Sequence, residues 1–83
     1  MKAWHLYIVR CVDNSLYTGI TTDVARRVVE HNTSPRGARY TRSRRPVELV
    51  WKSLGVERSF AAKAEAKFKT YSKRQKEEFL KML

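Results

Sequence analysis

The run Tyr7-Ile8-Val9-Arg10-Cys11-Val12-Asp13-Asn14-Ser15-Leu16-Tyr17-Thr18-Gly19-Ile20-Thr21-Thr22-Asp23-Val24-Ala25-Arg26-Arg27 decides the fold. It reads as strand, tight turn, strand and the start of a helix. Trp4 to Val12 is rich in β-branched and aromatic side chains, the types a packed pleated surface selects. That segment is apolar on both faces, which predicts a central strand covered on both sides. Asp13-Asn14-Ser15 is a turn cluster, because Asn and Asp tolerate left-handed backbone angles. Leu16 to Ile20 then returns as the second strand. A two-residue loop pairs Val12 with Ser15 and sends Tyr7 and Tyr17 to opposite faces. A three-residue loop pairs Val12 with Leu16 and keeps both phenols on one face, since side chains alternate with period two. The three-residue loop is the expectation. Gly19 allows a bulge or a close backbone approach.

Beyond the hairpin, Thr21-Thr22-Asp23 offers oxygens to the first orphan amides of a helix over roughly 23–33. Val24, Ala25, Val28 and Val29 form its apolar stripe. Arg26 has Glu30 four residues on as an ion-pair partner. Arg27 has His31 at that spacing instead, so Arg27 and His31 share an edge that faces something else. Residues 32–46 read as a long loop in which five arginines, Arg36, Arg39, Arg42, Arg44 and Arg45, interleave with Tyr40 and small hydroxyl residues. Arginine, aromatic and hydroxyl together suit a segment that contacts phosphates. Val47 to Leu54 predicts a third strand, with Val47, Leu49 and Trp51 on one face and Val50 and Leu54 on the other. Residues 58–72 predict the strongest helix, burying Phe60, Ala61, Ala64, Phe68 and Tyr71. Glu65 lies beside that arc, the sole acid between Arg58 and Arg74. It has Lys69 as an ordinary partner one turn on, and it is also a carboxylate in a positive field where a divalent cation beside a phosphate would be held. Gln75 to Leu83 predicts a terminal helix with Phe79, Leu80 and Leu83 inward.

Composition bounds the answer. Residues 1–83 make one domain, small enough that the core must be well packed. A single cysteine, Cys11, permits no internal disulfide and suits a reducing cytoplasm. No apolar run approaches the ~18–20 residues of a membrane helix. The start, Met1-Lys2-Ala3-Trp4-His5, is not that of a signal peptide. Eighteen Lys and Arg against eight acids give a formal charge of +10, which implies a polyanionic partner, nucleic acid before an anionic membrane.

Tyr7-Ile8-Val9, Tyr17-Thr18-Gly19, Arg27, His31-Asn32 and Glu65 occur in an order and spacing that resembles the GIY-YIG endonuclease domain, over essentially the whole chain. The small stand-alone bacterial (YhbQ-type) branch is the most similar, through Gly37-Ala38-Arg39-Tyr40-Thr41 followed by Arg44-Arg45-Pro46-Val47. The resemblance implies an α+β fold, a three-stranded mainly antiparallel sheet flanked by helices in the order β-β-α-β-α-α. It implies Tyr7, Tyr17, Arg27, His31 and Glu65 as catalytic residues. In that reading Arg27 grips the scissile phosphate, His31 belongs to the water-activating network and Glu65 holds one Mg²⁺ or Mn²⁺ ion. It places substrate along Gly19, Arg36, Arg39, Tyr40, Thr41, Arg44, Arg45, Lys73 and Lys76. A tyrosine base needs its pKa of ~10 lowered, and Arg27 with the metal is expected to do that. Either Tyr7 or His31 takes the proton. The chain departs from the family pattern twice: the first motif reads His5-Leu6-Tyr7, and the asparagine many members carry late in the chain is missing, which leaves Lys73 or Lys76 as its replacement.

The expectation is therefore a metal-dependent endonuclease acting on DNA, on branched, nicked or single-stranded structures, in repair or recombination. The competing expectations are a nucleic-acid-binding module that does not cut, and an RNA-directed nuclease. A cytoplasmic monomer or weak dimer, with a protein partner for targeting, completes the reading.

Overall fold

The computed structural model describes residues 2–83. The elements in chain order are β1 (His5–Arg10), β2 (Leu16–Thr21), α1 (Val24–Thr33), α2 (Arg39–Arg42), β3 (Glu48–Lys52), α3 (Arg58–Lys69) and α4 (Lys73–Lys81). The three strands form one antiparallel sheet in the order β2-β1-β3. This is the expected α+β architecture, with one addition: α2, a single helical turn inside the segment read as loop.

β1 is the central strand, and Leu6, Tyr7, Ile8 and Val9 are all buried. In the hairpin Arg10 pairs with Leu16 and Tyr7 with Gly19. Cys11 N–H donates to the Ser15 carbonyl at 2.8 Å and Asn14 N–H to the Cys11 carbonyl at 2.9 Å. The loop does have three residues, but they are Val12-Asp13-Asn14, so Val12 does not pair with Leu16. Two local interactions pin this position. Asn14 adopts φ 69°, a left-handed conformation that asparagine tolerates. The Asp13 carboxylate accepts the Ser15 N–H at 3.0 Å. The parity survives the shift, so Tyr7 and Tyr17 stay on one face.

β3 corrects a second expectation. Ile8 pairs with Trp51 but Val9 with Leu49, so Val50 is an extra residue in a bulge. A bulge advances the alternation by one position. Leu49 therefore packs with Tyr7 and Val9, while Trp51 joins Ile8 on the opposite face and does not share a face with Leu49. The strand also stops at Lys52, and Leu54 is 88% exposed.

The sheet separates two cores. On one face Tyr7, Val9, Cys11 and Val47 pack against Val24 and Val28 of α1. On the other, Ile8 and Leu16 meet Phe68 and Tyr71, then Phe79 and Leu80 of α4. Phe79 stands edge-on to both Trp51 and Phe68, with ring centroids 5.1 and 5.2 Å apart. Asp23 caps α1 by accepting Arg26 N–H. Ser72 and Gln75 form a capping box that starts α4 two residues earlier than expected. Arg10 grips Glu77 with both terminal nitrogens, at 2.7 and 2.8 Å, and so ties α4 to β1. α3 buries only Ala61 and Phe68; Phe60 is 61% exposed and Leu83 in the last segment 69%, so neither belongs to the core as expected.

Burial sets the expected energetics. Phe68→Ala should cost about 3–5 kcal/mol of unfolding free energy, and Phe60→Ala should stay within about 0.5 kcal/mol of the parent. Urea denaturation of the two variants measures the difference, and equal losses would refute the placement of α3.

Candidate active site

The site is built on a glycine. Tyr7 lies opposite Gly19 in the hairpin, and a Cβ at Gly19 would sit 2.6 Å from the Tyr7 hydroxyl oxygen and 2.8 Å from its ring. Only glycine admits the phenol across the strand. The ring then reaches α1, where Tyr7 Oη lies 2.6 Å from His31 Nε2. His31 is completely buried. Its other nitrogen, Nδ1, lies 2.9 Å from the Thr41 hydroxyl of α2, and Thr41 in turn donates to the Ala38 carbonyl at 2.9 Å.

The C-terminal end of α1 is clamped so that His31 keeps this position. Arg45 donates to the carbonyls of His31 and Ser34, groups a helix end leaves without partners. A Cβ at Gly37 would come within 2.8 Å of the Glu30 carbonyl, so the loop lies flat on the helix. The Asn32 amide bridges to the Val47 backbone, donating to its carbonyl at 3.0 Å and accepting its N–H at 2.7 Å. Gly37 and Asn32 carry no periodic signal as packing residues. The hint in the sequence is their place in the His31-Asn32 and Gly37-Ala38-Arg39-Tyr40-Thr41 stretches that carry the family resemblance.

Around this buried pair the remaining groups gather. Tyr17 meets His31 edge-on, with centroids 5.3 Å apart, and stacks on Tyr40 at 5.9 Å. The Arg44 guanidinium lies 3.9 Å from the Tyr40 ring centre, and Arg44 also reaches Asp13 at 3.1 Å. α3 runs along β2, which brings Lys69 Nζ to 5.6 Å from the Tyr17 ring and 3.4 Å from Glu65. Arg27 Nη1 donates to Glu30 at 2.9 Å and to the Arg36 carbonyl at 2.8 Å. Arg27 thus has an acidic partner three residues on, which the i+4 spacing did not suggest. Arg36 and Arg39 are exposed, and Tyr40 is 39% exposed.

Three residues expected to touch substrate are turned inward. Thr41 is fully buried against His31, Arg45 is spent on α1 carbonyls, and Gly19 lies under the Tyr7 ring. Lys73 is engaged by Glu77. Lys76 sits 6.0 Å from the Phe68 ring, where burial first and then Lys69 hold its pKa below the usual lysine range.

The electrostatics show what the protein's own groups do to the two partners. Burial, reinforced by Tyr17, pushes the Tyr7 phenol up to about 12, against the opposing pull of Arg27; the charge of Glu65 also reaches the phenol and adds to the rise. Arg27 alone does not lower the tyrosine. Burial, with Arg27 and then Arg45 adding positive charge, pushes His31 down to about 4, so it is a neutral imidazole at physiological pH. Two neutral groups with pKa values driven apart share one short hydrogen bond. Among the described residues no three His, Cys, Asp or Glu side chains cluster as a metal cage. Glu65 is a half-buried carboxylate at the rim, a donor that fits a hydrated Mg²⁺, which keeps several waters.

Comparison with known proteins places this geometry in context. Residues 3–78 match the model of the GIY-YIG catalytic domain. A UPF0213 protein of Desulfotalea psychrophila is 54% identical over 95% of this chain and 72% of its own length. A UPF0213 protein of Staphylococcus haemolyticus is 47% identical over 100% of this chain and 96% of its own. The solution structure of a UPF0213 protein from Bacillus halodurans is 40% identical, covering 95% of this chain and 83% of its own, with TM-score 0.61. That of a protein from E. faecalis is 45% identical, covering 99% and 86%, with TM-score 0.66.

Two outcomes follow from the buried pair. His31 has a folded pKa below its unfolded value of 6.5, so the unfolded chain binds the extra proton. Stability is complete above pH ~6.5 and falls as pH drops toward ~4. Between pH 7.5 and 4.5 the loss should be about 2–3 kcal/mol in urea unfolding, and His31→Asn should flatten it; unchanged stability over that window would contradict the burial of His31. Gly19→Ala should cost about 1–3 kcal/mol by overpacking the phenol, read as a lower thermal midpoint. An unshifted midpoint would show that the ring does not cross Gly19.

Proposed function

The chain belongs to the GIY-YIG catalytic-domain family, in its UPF0213 group, and from that premise we propose that it is a metal-dependent endonuclease. Its substrate in this reading is DNA, in branched, nicked or single-stranded form, within repair or recombination. The observation that carries the reading is the 2.6 Å contact between Tyr7 and His31, set beside Arg27 and Glu65 under a rim of exposed cations.

Each side chain then has a task. Glu30 and the Arg36 carbonyl occupy one terminal nitrogen of Arg27 and aim the guanidinium. The guanidinium also reaches the Tyr7 hydroxyl, and in this reading it takes the oxygens of the scissile phosphate as charge-assisted bonds beside that phenol. The attacking water gives its proton to Tyr7 Oη, and the phenol's own proton passes to His31 Nε2, the neutral group already in contact with it. Tyr17 presents a second phenol on the same face. Nucleases of this family generally use a divalent metal, and Glu65 would hold one Mg²⁺ or Mn²⁺ with water and phosphate oxygens completing the shell. Such an ion supplies stabilisation of charge on the phosphate and the leaving oxygen. Arg36 and Arg39 lead the strand in and meet its phosphates, past Tyr40, which Tyr17 and the Arg44 guanidinium hold in place. Gly19, Thr41 and Arg45 support the site from beneath. Among the described residues no helix is long and apolar enough to cross a membrane, and the free thiol of Cys11 suits the cytoplasmic location this reading includes.

The test is cleavage of labelled single-stranded, flapped, nicked and duplex DNA and of RNA, with Mg²⁺, with Mn²⁺ and with chelator. Metal-dependent cutting of DNA is expected, with turnover reduced about 10²–10⁴-fold in Arg27→Ala and Glu65→Ala. Tight, salt-sensitive binding with no cutting under any condition would establish a binding module instead. Cutting confined to RNA would establish an RNA-directed nuclease.

A further inference from the structure

Three polar contacts run in file through the buried centre: Tyr7 Oη to His31 Nε2 at 2.6 Å, His31 Nδ1 to Thr41 Oγ1 at 2.9 Å, and Thr41 Oγ1 to the Ala38 carbonyl at 2.9 Å. Neutral His31 carries one ring proton, and Tyr7 and Thr41 carry one hydroxyl proton each, so there are three protons for three contacts. The file ends on a carbonyl, which can only accept. One arrangement alone fills all three, and it forgoes only the long approach of the Ala38 N–H to Nδ1. Tyr7 donates to Nε2, Nδ1–H donates to Thr41, and Thr41 donates to Ala38. In the reverse arrangement Thr41 donates to Nδ1 and Nε2–H donates to Tyr7. The Thr41 and Ala38 oxygens then face each other at 2.9 Å with no proton between them, and the Tyr7 proton has no place in the file. Thr41 and His31 are both fully buried, so solvent does not repair that loss. The Ala38 N–H also points toward Nδ1, but at 3.4 Å it is the longest contact of the group and the weakest claim on that nitrogen.

We infer that Thr41 is a positioning residue: through the Ala38 carbonyl it fixes the His31 proton on Nδ1 and leaves Nε2 bare, facing Tyr7 as a proton acceptor. The catalytic meaning of this rests on the nuclease reading above; the tautomer does not. In the step that reading describes, the proton leaving Tyr7 lands on Nε2 and makes an imidazolium. Its Nδ1–H stays on Thr41, the Thr41 proton stays on Ala38, and no other proton in the file has to move. The wrong tautomer would present Nε2–H to Tyr7, and the phenol would have nowhere to send its proton. Fixing a histidine tautomer through its second nitrogen is a known determinant of base strength and direction. The same turn of helix, α2, carries the exposed Arg39, Tyr40 and Arg42 on the rim.

The experiment is nitrogen-15 NMR of the His31 ring at pH 7 in the intact protein, in wild type, Thr41→Val and Thr41→Ser. Wild type is expected to show a protonated Nδ1 and a bare Nε2. Thr41→Val, which keeps the shape and removes the hydroxyl, should bring up the Nε2–H form, and Thr41→Ser should restore the wild-type pattern. With a DNA substrate, Thr41→Val should lower kcat about 10–100-fold at little change in KM, with Thr41→Ser recovering most of it. A wild-type spectrum with the proton on Nε2 overturns the proposal outright, and needs no variant to fold. A Thr41→Val spectrum identical to wild type overturns the role of Thr41. A protein that shows the expected spectra but cuts nothing leaves the tautomer assignment standing and removes the nuclease reading.

Discussion

The bond between Tyr7 and His31 constrains everything around it. It joins the central strand to α1 inside the molecule, and it forms only because several other features permit it. Gly19 must lack a side chain for the phenol to cross β2. The hairpin register must put Tyr17 on the same face. The end of α1 must be held by Arg45 and Asn32 so that the imidazole does not turn away. Residues that look unrelated in the chain are thus all conditions on one contact. An unpaired imidazole at that depth would cost a desolvation penalty of about 1–3 kcal/mol.

The basic residues divide into two kinds. Arg10, Arg44 and Arg45 are structural: they tie α4 to β1, the basic loop to the hairpin turn, and that loop to α1. Arg36, Arg39 and Arg42 face outward near the tyrosines. The formal charge of +10 is thus partly committed to holding a small sheet and four helices together. The remainder leaves the surface strongly positive, which suits the nucleic-acid substrate that a nuclease domain implies.

Most of the fold was legible because its signals are local. The central strand, the turn, the capped helix and the shared face of Tyr7 and Tyr17 follow from side-chain type and period two. The errors lie where a partner decides. The turn slipped by one residue because the Asp13 side chain holds Ser15 and Asn14 takes the left-handed angle. The Val50 bulge arises from pairing with β1, and nothing in the Val47–Leu54 pattern announces it. Order and spacing singled out the two tyrosines and His31, and the fold does bring these three rings together. Thr41 was expected along the substrate path, and its buried place was hidden because its partner His31 lies ten residues back, across a loop whose course only the folded chain defines. The direction in which the protein's own groups move the Tyr7 pKa was hidden for a related reason. Burial outweighs a neighbouring arginine, and depth is not visible in a motif.

The most direct test of the central claim is a crystal structure of Glu65→Gln bound to a flapped DNA with a metal ion present. The account predicts a backbone phosphate within hydrogen-bond reach of Arg27 and Tyr7, with the strand passing over Tyr40 between Arg36 and Arg39. A duplex lying along α4, with the tyrosine face open to solvent, would contradict it.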